Sequence, residues 1–442
     1  MPHTTPPWAV APFVVYLVLI AALPLFLGGF WERNRNKLIV AAVVSAPVVL
    51  YLLAGGAAGG LLLLRTACDY VSFIALLGAL FTISGGICLT GSLVGTPAVN
   101  TAFLAAGSLL GSVVGTTGAS ILLIRPMLRA NARRGYATHV VVFFIFIVSN
   151  GAGLLTPLGD PPLFLGFLRG VPFTWTLRLF WPWVLVNGVL LSLFAIIDRA
   201  IHQRERRRIA GVTVAPGEPH EPLRLRGGIN LLWLLAIVGV VFVMGSYGPR
   251  LFGDSYLRAG VQVAGMLACA ALSFFSTARE VHETNRFTWA PIVEVAAVFV
   301  GVFLTMIPAL SFLEERGAAL GITKPWHFFW AAGALSSVLD NAPTYLTFAS
   351  LAVGVTNGAH GTLSVENLGA LAAHPSGQLL LAAVSCGAVL MGAITYIGNG
   401  PNFMVKAIAE QHHVRMPSFF GYTLWSLAIL VPLFGLVAHF FF

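Results

Sequence analysis

Thr156-Pro157-Leu158-Gly159-Asp160-Pro161-Pro162-Leu163-Phe164 lies inside the apolar segment 138–168. Such a cluster cannot continue an α-helix through hydrocarbon. Proline lacks the N–H, glycine loosens the backbone, and the freed carbonyls need partners. The second half of the chain repeats the device: Thr395-Tyr396-Ile397-Gly398-Asn399-Gly400-Pro401-Asn402-Phe403 interrupts the apolar segment 377–410. Aligning Pro162-Leu163-Phe164 with Pro401-Asn402-Phe403 sets Asp160 opposite Asn399 and Gly159 opposite Gly398. Irregular backbone at membrane depth survives only where protein buries it or where it lines a wet cavity. Each segment therefore reads as a broken helix whose unwound turn offers oxygens to something polar. A proline kink used only for packing explains neither the acid nor the recurrence.

The surrounding composition is that of a membrane protein. Of 442 residues, 57% are hydrophobic and 9% charged, against about 25% charged in a soluble domain. A mean hydropathy of +0.87 leaves too little polar surface to cover a water-soluble fold. The net charge of +9 does not point to nucleic acid, because the basic residues sit in short loops between apolar runs, where the positive-inside rule puts them. Cys68, Cys88, Cys269 and Cys386 stand singly in apolar stretches, with no CxxC pair, and read as small buried apolar residues. Met1 to Trp8 lacks a basic n-region, and Arg33, Arg35 and Lys37 follow the first apolar run. That is the pattern of a first transmembrane helix with its N-terminus outside.

Apolar stretches of spanning length fall at 9–30, 38–54, 70–90, 138–168, 175–197, 229–247, 256–277, 291–313, 377–410 and 417–442. Two others, 98–128 and 326–352, are interrupted by small and polar residues and read as re-entrant helix-turn-helix hairpins. The basic clusters at 33–37, at Arg129, Arg133 and Arg134, and in the polar stretch 198–228 (Arg199, Arg204, Arg206, Arg207, Arg208, Arg224, Arg226) then fall on one side, the cytoplasmic one. Both termini are expected outside. The stretch 198–228 divides the chain into a first repeat, 1–197, and a second, 229–442, that start on opposite sides. The expected fold is an all-α polytopic membrane protein of about ten transmembrane helices plus two re-entrant hairpins, in two inverted-topology repeats with two broken helices. The expected location is a bacterial inner membrane, with lipid as the chain's surroundings.

The hairpins repeat as the broken helices do. Gly115-Thr116-Thr117-Gly118-Ala119-Ser120 corresponds to Asp340-Asn341-Ala342-Pro343-Thr344. Each gives hydroxyl or amide side chains at a turn between two short apolar helices, where helix ends bind ions; small-residue helix packing is the competing reading. Among 16 acids, Asp160, Glu294 and Asp340 lie inside apolar segments. An ionised carboxylate at the bilayer centre costs about 2.5–3.5 kcal/mol or more on insertion scales, so such residues usually face a cavity and function there. One carboxylate that holds either a proton or a cation is the physical basis of cation/proton exchange. Glu294 has a second reading, as an early-turn acid complementing a helix dipole. Arg125 reads either as a cytoplasmic anchor or as a counter-charge in the site. His139 reads as interfacial, with a proton-relay role open. No Walker A sequence, nucleophile elbow or HExxH motif is present, so the chain is expected to be no enzyme and to draw on an ion gradient.

Ser149-Asn150-Gly151 with TPLGDPPLFLGF at 156–167, GTTGAS at 115–120, PIVEVAAVFVGVFLTMIPAL at 291–310, LDNAPTYLTF at 339–348 and TYIGNGPNF at 395–403 resemble the ion-transporter superfamily. That superfamily holds NhaD-type sodium/proton antiporters, arsenite permeases, and citrate and dicarboxylate carriers. The likeness is greatest to bacterial sodium/proton antiporter and citrate-transporter-like proteins. The resemblance implies a scaffold set of helices, a transport set of two hairpins and two broken helices, an elevator motion and a homodimer. In the superfamily's carboxylate carriers, paired Ser-Asn-Thr motifs at the hairpin tips bind sodium and substrate. Here Thr116, Thr117 and Ser120 stand in one tip and Asp340, Asn341 and Thr344 in the other, which shifts the expectation from carboxylate to cation.

The leading expectation is exchange of sodium or lithium for protons, these being the only ions or cofactors required. Asp160 and Asp340 would carry the exchange, with Asn341 and Asn399 as further sodium ligands. Asn150, Asn402, Thr117, Ser120 and Thr344 would complete an oxygen cage, with Thr156, Thr395 and Glu294 as further candidates. The alternative is a sodium- or proton-coupled citrate or dicarboxylate carrier, or an arsenite permease. A channel or an assembly scaffold is disfavoured by the paired broken helices and buried acids.

Overall fold

The computed structural model describes residues 5–91, 94–209, 224–285, 287–316, 319, 321–357 and 363–442. It is almost wholly helical, as the hydropathy pattern requires. The first half contains α1 (Ala11–Phe26), α2 (Asn34–Ala54) and α3 (Ala57–Gly85), then a hairpin of α4 (Pro97–Val114) and α5 (Thr116–Ala130). A helix broken into α6 (Thr138–Ile147) and α7 (Pro161–Leu168) follows, and α8 (Phe180–Ile209) closes the half. The second half runs in the same order: α9 (Ile229–Ser246), α10 (Ser255–Ser276), α11 (Ala290–Arg316), a hairpin of α12 (Pro325–Ser336) and α13 (Asn341–Asn357), a helix broken into α14 (Gly377–Met391) and α15 (Gly400–Gln411), and α16 (Phe419–Phe441).

Among the described residues, ten helices are long and apolar enough to cross a membrane, but they are not the expected ten. Pro97–Val114, the first arm of a hairpin, qualifies by length, whereas 138–168 is broken and does not. Helix α3 begins at Ala57, well before residue 70, and both charges in its first half have an opposite charge nearby. Arg65 pairs with Glu366, and Arg169 lies 4.0 Å from Asp69. Its end departs from expectation too. Cys88–Thr90 leaves the helix as β1 and pairs antiparallel with β2 (Arg224–Arg226), Cys88 opposite Arg226. The described cysteines are all free, and Cys88, Cys269 and Cys386 are buried.

Helix α8 extends through Asp198, so the polar stretch placed at 198–228 starts inside a helix; residues 210–223 of it lie outside the described residues. Asp198 is fully buried among polar side chains brought from other elements. Its Oδ1 accepts from the Arg134 guanidinium and sits 2.8 Å from His139 Nε2, while Oδ2 accepts from Asn100 Nδ2 at 3.0 Å. Asn100 and Asn131 exchange two side-chain hydrogen bonds of 2.9 Å, and His139 stacks between Tyr136 and Phe194. His139 is therefore a buried member of this cluster. The cluster pins the ends of α4, α5 and α6 to α8, and Arg129 reaches the Leu89 carbonyl in β1.

The halves interlock at their centres: α5 of the first hairpin packs on α15 of the second broken helix, and α13 of the second hairpin packs on α7 of the first. Around them, α2, α3, α9, α10 and α11 pack on one another.

Removing one member of a buried ion cluster strands the others. Asp198→Ala is expected to lower unfolding stability by about 3–5 kcal/mol, read as a fall in the thermal midpoint of detergent-purified protein. Glu205→Ala, which removes the more exposed partner of Arg134, is expected to cost about 1 kcal/mol or less.

Candidate ion-binding site

Each broken helix restarts on an acid or amide followed by proline. Asp160 (φ −149°, ψ 146°) precedes Pro161 at the start of α7, and Asn399 (φ −151°, ψ 137°) precedes Gly400-Pro401 at the start of α15. An aspartate in that place ordinarily caps the helix by accepting from a backbone N–H of the first turn. Pro161 and Pro162 have none to give, and the first-turn N–H of Leu163 bonds the Asp160 carbonyl instead. The Asp160 carboxylate is thus free to turn away from its own helix.

It turns to the two hairpin tips. Asp160 is 2% exposed. Thr116 Oγ1, the first residue of α5, donates to Oδ1 at 2.8 Å. Asn341 Nδ2, the first residue of α13, donates to Oδ2. Asn399 Nδ2 lies 3.5 Å from Oδ1. One carboxylate therefore joins both hairpins and both broken helices. Its three hydrogen-bond partners are neutral.

The amides behind it form a continuous chain. Asn399 Nδ2 donates to the Ser149 carbonyl (3.1 Å) and to Asn150 Oδ1 (3.2 Å). Asn150 Nδ2 donates to the Ile145 carbonyl and to Asn402 Oδ1 at 2.7 Å. Asn402 Nδ2 donates to the carbonyls of Gly392 and Thr395 in the second break. Ser120 Oγ meets Ser149 Oγ at 2.8 Å, one turn along α5 from Thr116. One atom is left over: Asn341 Oδ1 is buried and has no hydrogen-bond donor.

Glycines let the strands of each break cross. A Cβ at Gly159 would lie 2.5 Å from the Gly153 carbonyl oxygen, and one at Gly398 would lie 2.6 Å from that of Gly392. Gly115 (φ +82°) lets the first hairpin turn so that the Thr116 N–H donates to the Gly159 carbonyl at 2.8 Å.

Of the expected cage, Asp160, Asn150, Asn341, Asn399 and Asn402 come together, with Ser120 linked through Ser149. Other expected members have different work. Asp340 Oδ1 accepts from the Ala342 N–H at 3.1 Å and caps α13, so its carboxylate is not hydrogen-bonded to the ring. Thr344 Oγ1 donates to the Asp340 carbonyl within that helix. Thr156 and Thr395 are staples: their hydroxyls donate to the carbonyls of Ser112 and Ser337, tying each break to the hairpin of its own half. Thr117 lines a cavity of about 70 Å³ beside Asp160, closed by Phe73, Leu76 and Leu80 of α3 and by Ile292 and Val295 of α11, and makes no bond to the ring. Glu294 points elsewhere, to Lys37 Nζ on α2 at 2.6 Å, and is more than half exposed. An early-turn acid that finds a lysine on the neighbouring helix has no carboxylate left for the site. Thr116 and Ser149 belong to the ring; the sequence shows Thr116 at the hairpin tip and Ser149 beside Asn150, but neither was expected as a ligand.

Comparison with known proteins agrees with this architecture. The family model described as "Putative citrate transport" matches residues 2–442. The chain belongs to this family. It is also similar to an uncharacterized transporter of Synechocystis, with 26% identity over 332 residues, 70% of each chain. The citrate-transport family member described here is thus a multi-pass membrane transporter, with Asp160 as the buried acid that its four central elements share.

Gly153 tests how closely that acid is fitted. A Cβ there would lie 2.7 Å from Asp160 Cβ and 3.0 Å from Thr116 Cγ2, whereas at Gly400 it would meet nothing within 4 Å. Gly153→Ala is expected to slow transport in proteoliposomes by about tenfold or more, a displaced-group effect, while Gly400→Ala leaves it near the wild-type rate.

Proposed function

We propose that the protein exchanges sodium or lithium for protons by alternating access, with Asp160 holding either the proton or the cation. The observation that carries the reading is the buried pair of Asp160 and Asn341 Oδ1: a carboxylate with only neutral partners beside an amide oxygen that lacks a donor. Buried acceptors without donors are rare in native proteins and call for an explanation such as an unseen ion. Small hard cations take oxygen ligands, and carboxylates, amide carbonyls and hydroxyls are those present. Asp340 adjoins Asn341 in the chain and adds a second negative charge at that tip. With no cation in place, a proton on Asp160 removes the cost of a bare buried charge. Proton and sodium then compete for one group, which is the thermodynamic requirement for coupled exchange.

The matched order of elements in the two halves supports two inverted repeats that meet at this site. The basic residues gathered at one end of the helices support a cytoplasmic face there, with both termini outside an inner membrane. The family resemblance supports an elevator-type movement of the hairpins and broken helices against the remaining helices, in a homodimer. The alternative cargo, a citrate-like carboxylate coupled to sodium or protons, is favoured by the family description; in that reading Asp160 binds the coupling cation.

Proteoliposomes with a trapped pH dye separate the two. Sodium added alone is expected to dissipate an imposed proton gradient, and Asp160→Asn to reduce the rate to that of protein-free liposomes. Asp340→Asn keeps a good capping side chain and removes only the charge, so a lost or weakened sodium response there reports electrostatics and not folding. Silence with sodium alone, followed by sodium-dependent uptake of labelled citrate, would overturn antiport in favour of carboxylate transport.

A further inference from the structure

The end of the bundle opposite the basic loops contains a half-open cavity of about 610 Å³, walled by α3, α10, α11, the end of α9, the residues after α7, and Val365-Glu366. Its volume is that of a small-molecule site, for which roughly 300–1,000 Å³ is usual. It lies at the far end of α7 from Asp160, about 12 Å along the helix at 1.5 Å per residue, and shares no lining residue with the 70 Å³ cavity beside Asp160.

Arg65, Arg169 and Arg258 line the larger cavity with two carboxylates, Asp69 and Glu366, and a third, Glu314, stands behind them and accepts from the Val365 N–H at 3.2 Å. Arg65 is paired with Glu366. Arg169 donates to the Val365 carbonyl at 3.2 Å and stands 4.0 Å from Asp69, beyond direct hydrogen-bond range. Arg258 has neither a hydrogen bond nor an ion pair from its guanidinium among the described residues, and its stem lies against Gly248. One turn along α10 on the same side is Gln262, 6% exposed, whose Nε2 has no acceptor. Two neighbouring side chains of α10, each with an unspent N–H donor, thus line one wall of the cavity.

We propose that this cavity binds a small organic carboxylate, with Arg258 and Gln262 holding one carboxyl group. A planar guanidinium presents parallel N–H donors that match a carboxylate's two oxygens, and the Gln262 amide supplies a further donor one helical turn away. The loosely matched Arg169 receives a second carboxyl group of a di- or tricarboxylate. The site is separate from the Asp160 ring and does not depend on which ion that ring carries.

Equilibrium binding of radiolabelled citrate and of radiolabelled succinate to the full chain in nanodiscs, with no ion gradient, tests this. At least one is expected to bind saturably. Arg258→Gln is expected to weaken binding by about tenfold or more, the scale of a lost charge-assisted hydrogen bond. Gln262→Glu, which keeps the side-chain shape and places a negative charge against the ligand, is expected to weaken it at least as much. The assay is run without sodium and reads carboxylate alone, so failure of the Asp160 reading and failure of this one are distinguishable. Absence of saturable binding to either compound would overturn the proposal, as would wild-type affinity in both cavity variants. Displacement by inorganic phosphate as effective as by the unlabelled carboxylate would overturn the ligand class.

Discussion

A carboxylate enclosed by helices in a membrane protein is costly unless something answers its charge, and in this chain the answer is divided among separate parts of the fold. Asp160 takes hydrogen bonds from Thr116 in one hairpin and Asn341 in the other, with Asn399 of the second broken helix alongside. The breaks, the hairpins and their crossings all serve this arrangement. Proline at the start of α7 withholds the N–H groups that would otherwise engage the acid. Glycines at 153, 159, 392 and 398 let the unwound strands cross at backbone distance. Thr156 and Thr395 fasten each break to its hairpin. Any change at the acid is therefore felt at once by both halves of the chain, which is what coupling between an ion and a conformation needs.

The two halves are alike in plan and unlike in charge. Asp160 and Asn399 occupy equivalent backbone positions with nearly the same dihedral angles, and Thr116 and Asn341 equivalent positions at the hairpin tips. One acid in such a ring gives a site that a single proton or a single cation can neutralise. The cavity at the other end of α7 is differently lined, with three guanidinium groups, two carboxylates and an unspent amide. The buried acid and the arginine-lined cavity are thus separated along one short helix.

Much of this was legible from residue type alone. The broken helices were marked by Gly-Asp-Pro and Gly-Asn-Gly-Pro inside apolar runs, the hairpins by hydroxyls and amides where hydrocarbon should continue, and the five central residues Asp160, Asn150, Asn341, Asn399 and Asn402 by their polarity in those places. What hydropathy could not supply was direction. Glu294 and Asp160 look alike in sequence, but one points to Lys37 and the other into the ring. Asp340 and Asp160 look alike too, but Asp340 accepts from the Ala342 N–H at the start of α13. Pairings across distant segments also escaped: Arg65 of α3 with Glu366, and Asp198 with Arg134 and His139 where α8 runs on past the expected start of the loop.

The central claim is that proton and cation share Asp160. Purified protein in weakly buffered nanodiscs, titrated with sodium chloride against a choline chloride control, reads this without transport. The account predicts that sodium binding releases protons into the medium, and that Asp160→Asn abolishes the release. Sodium binding with no proton release, or the same release from Asp160→Asn as from the wild type, would contradict it.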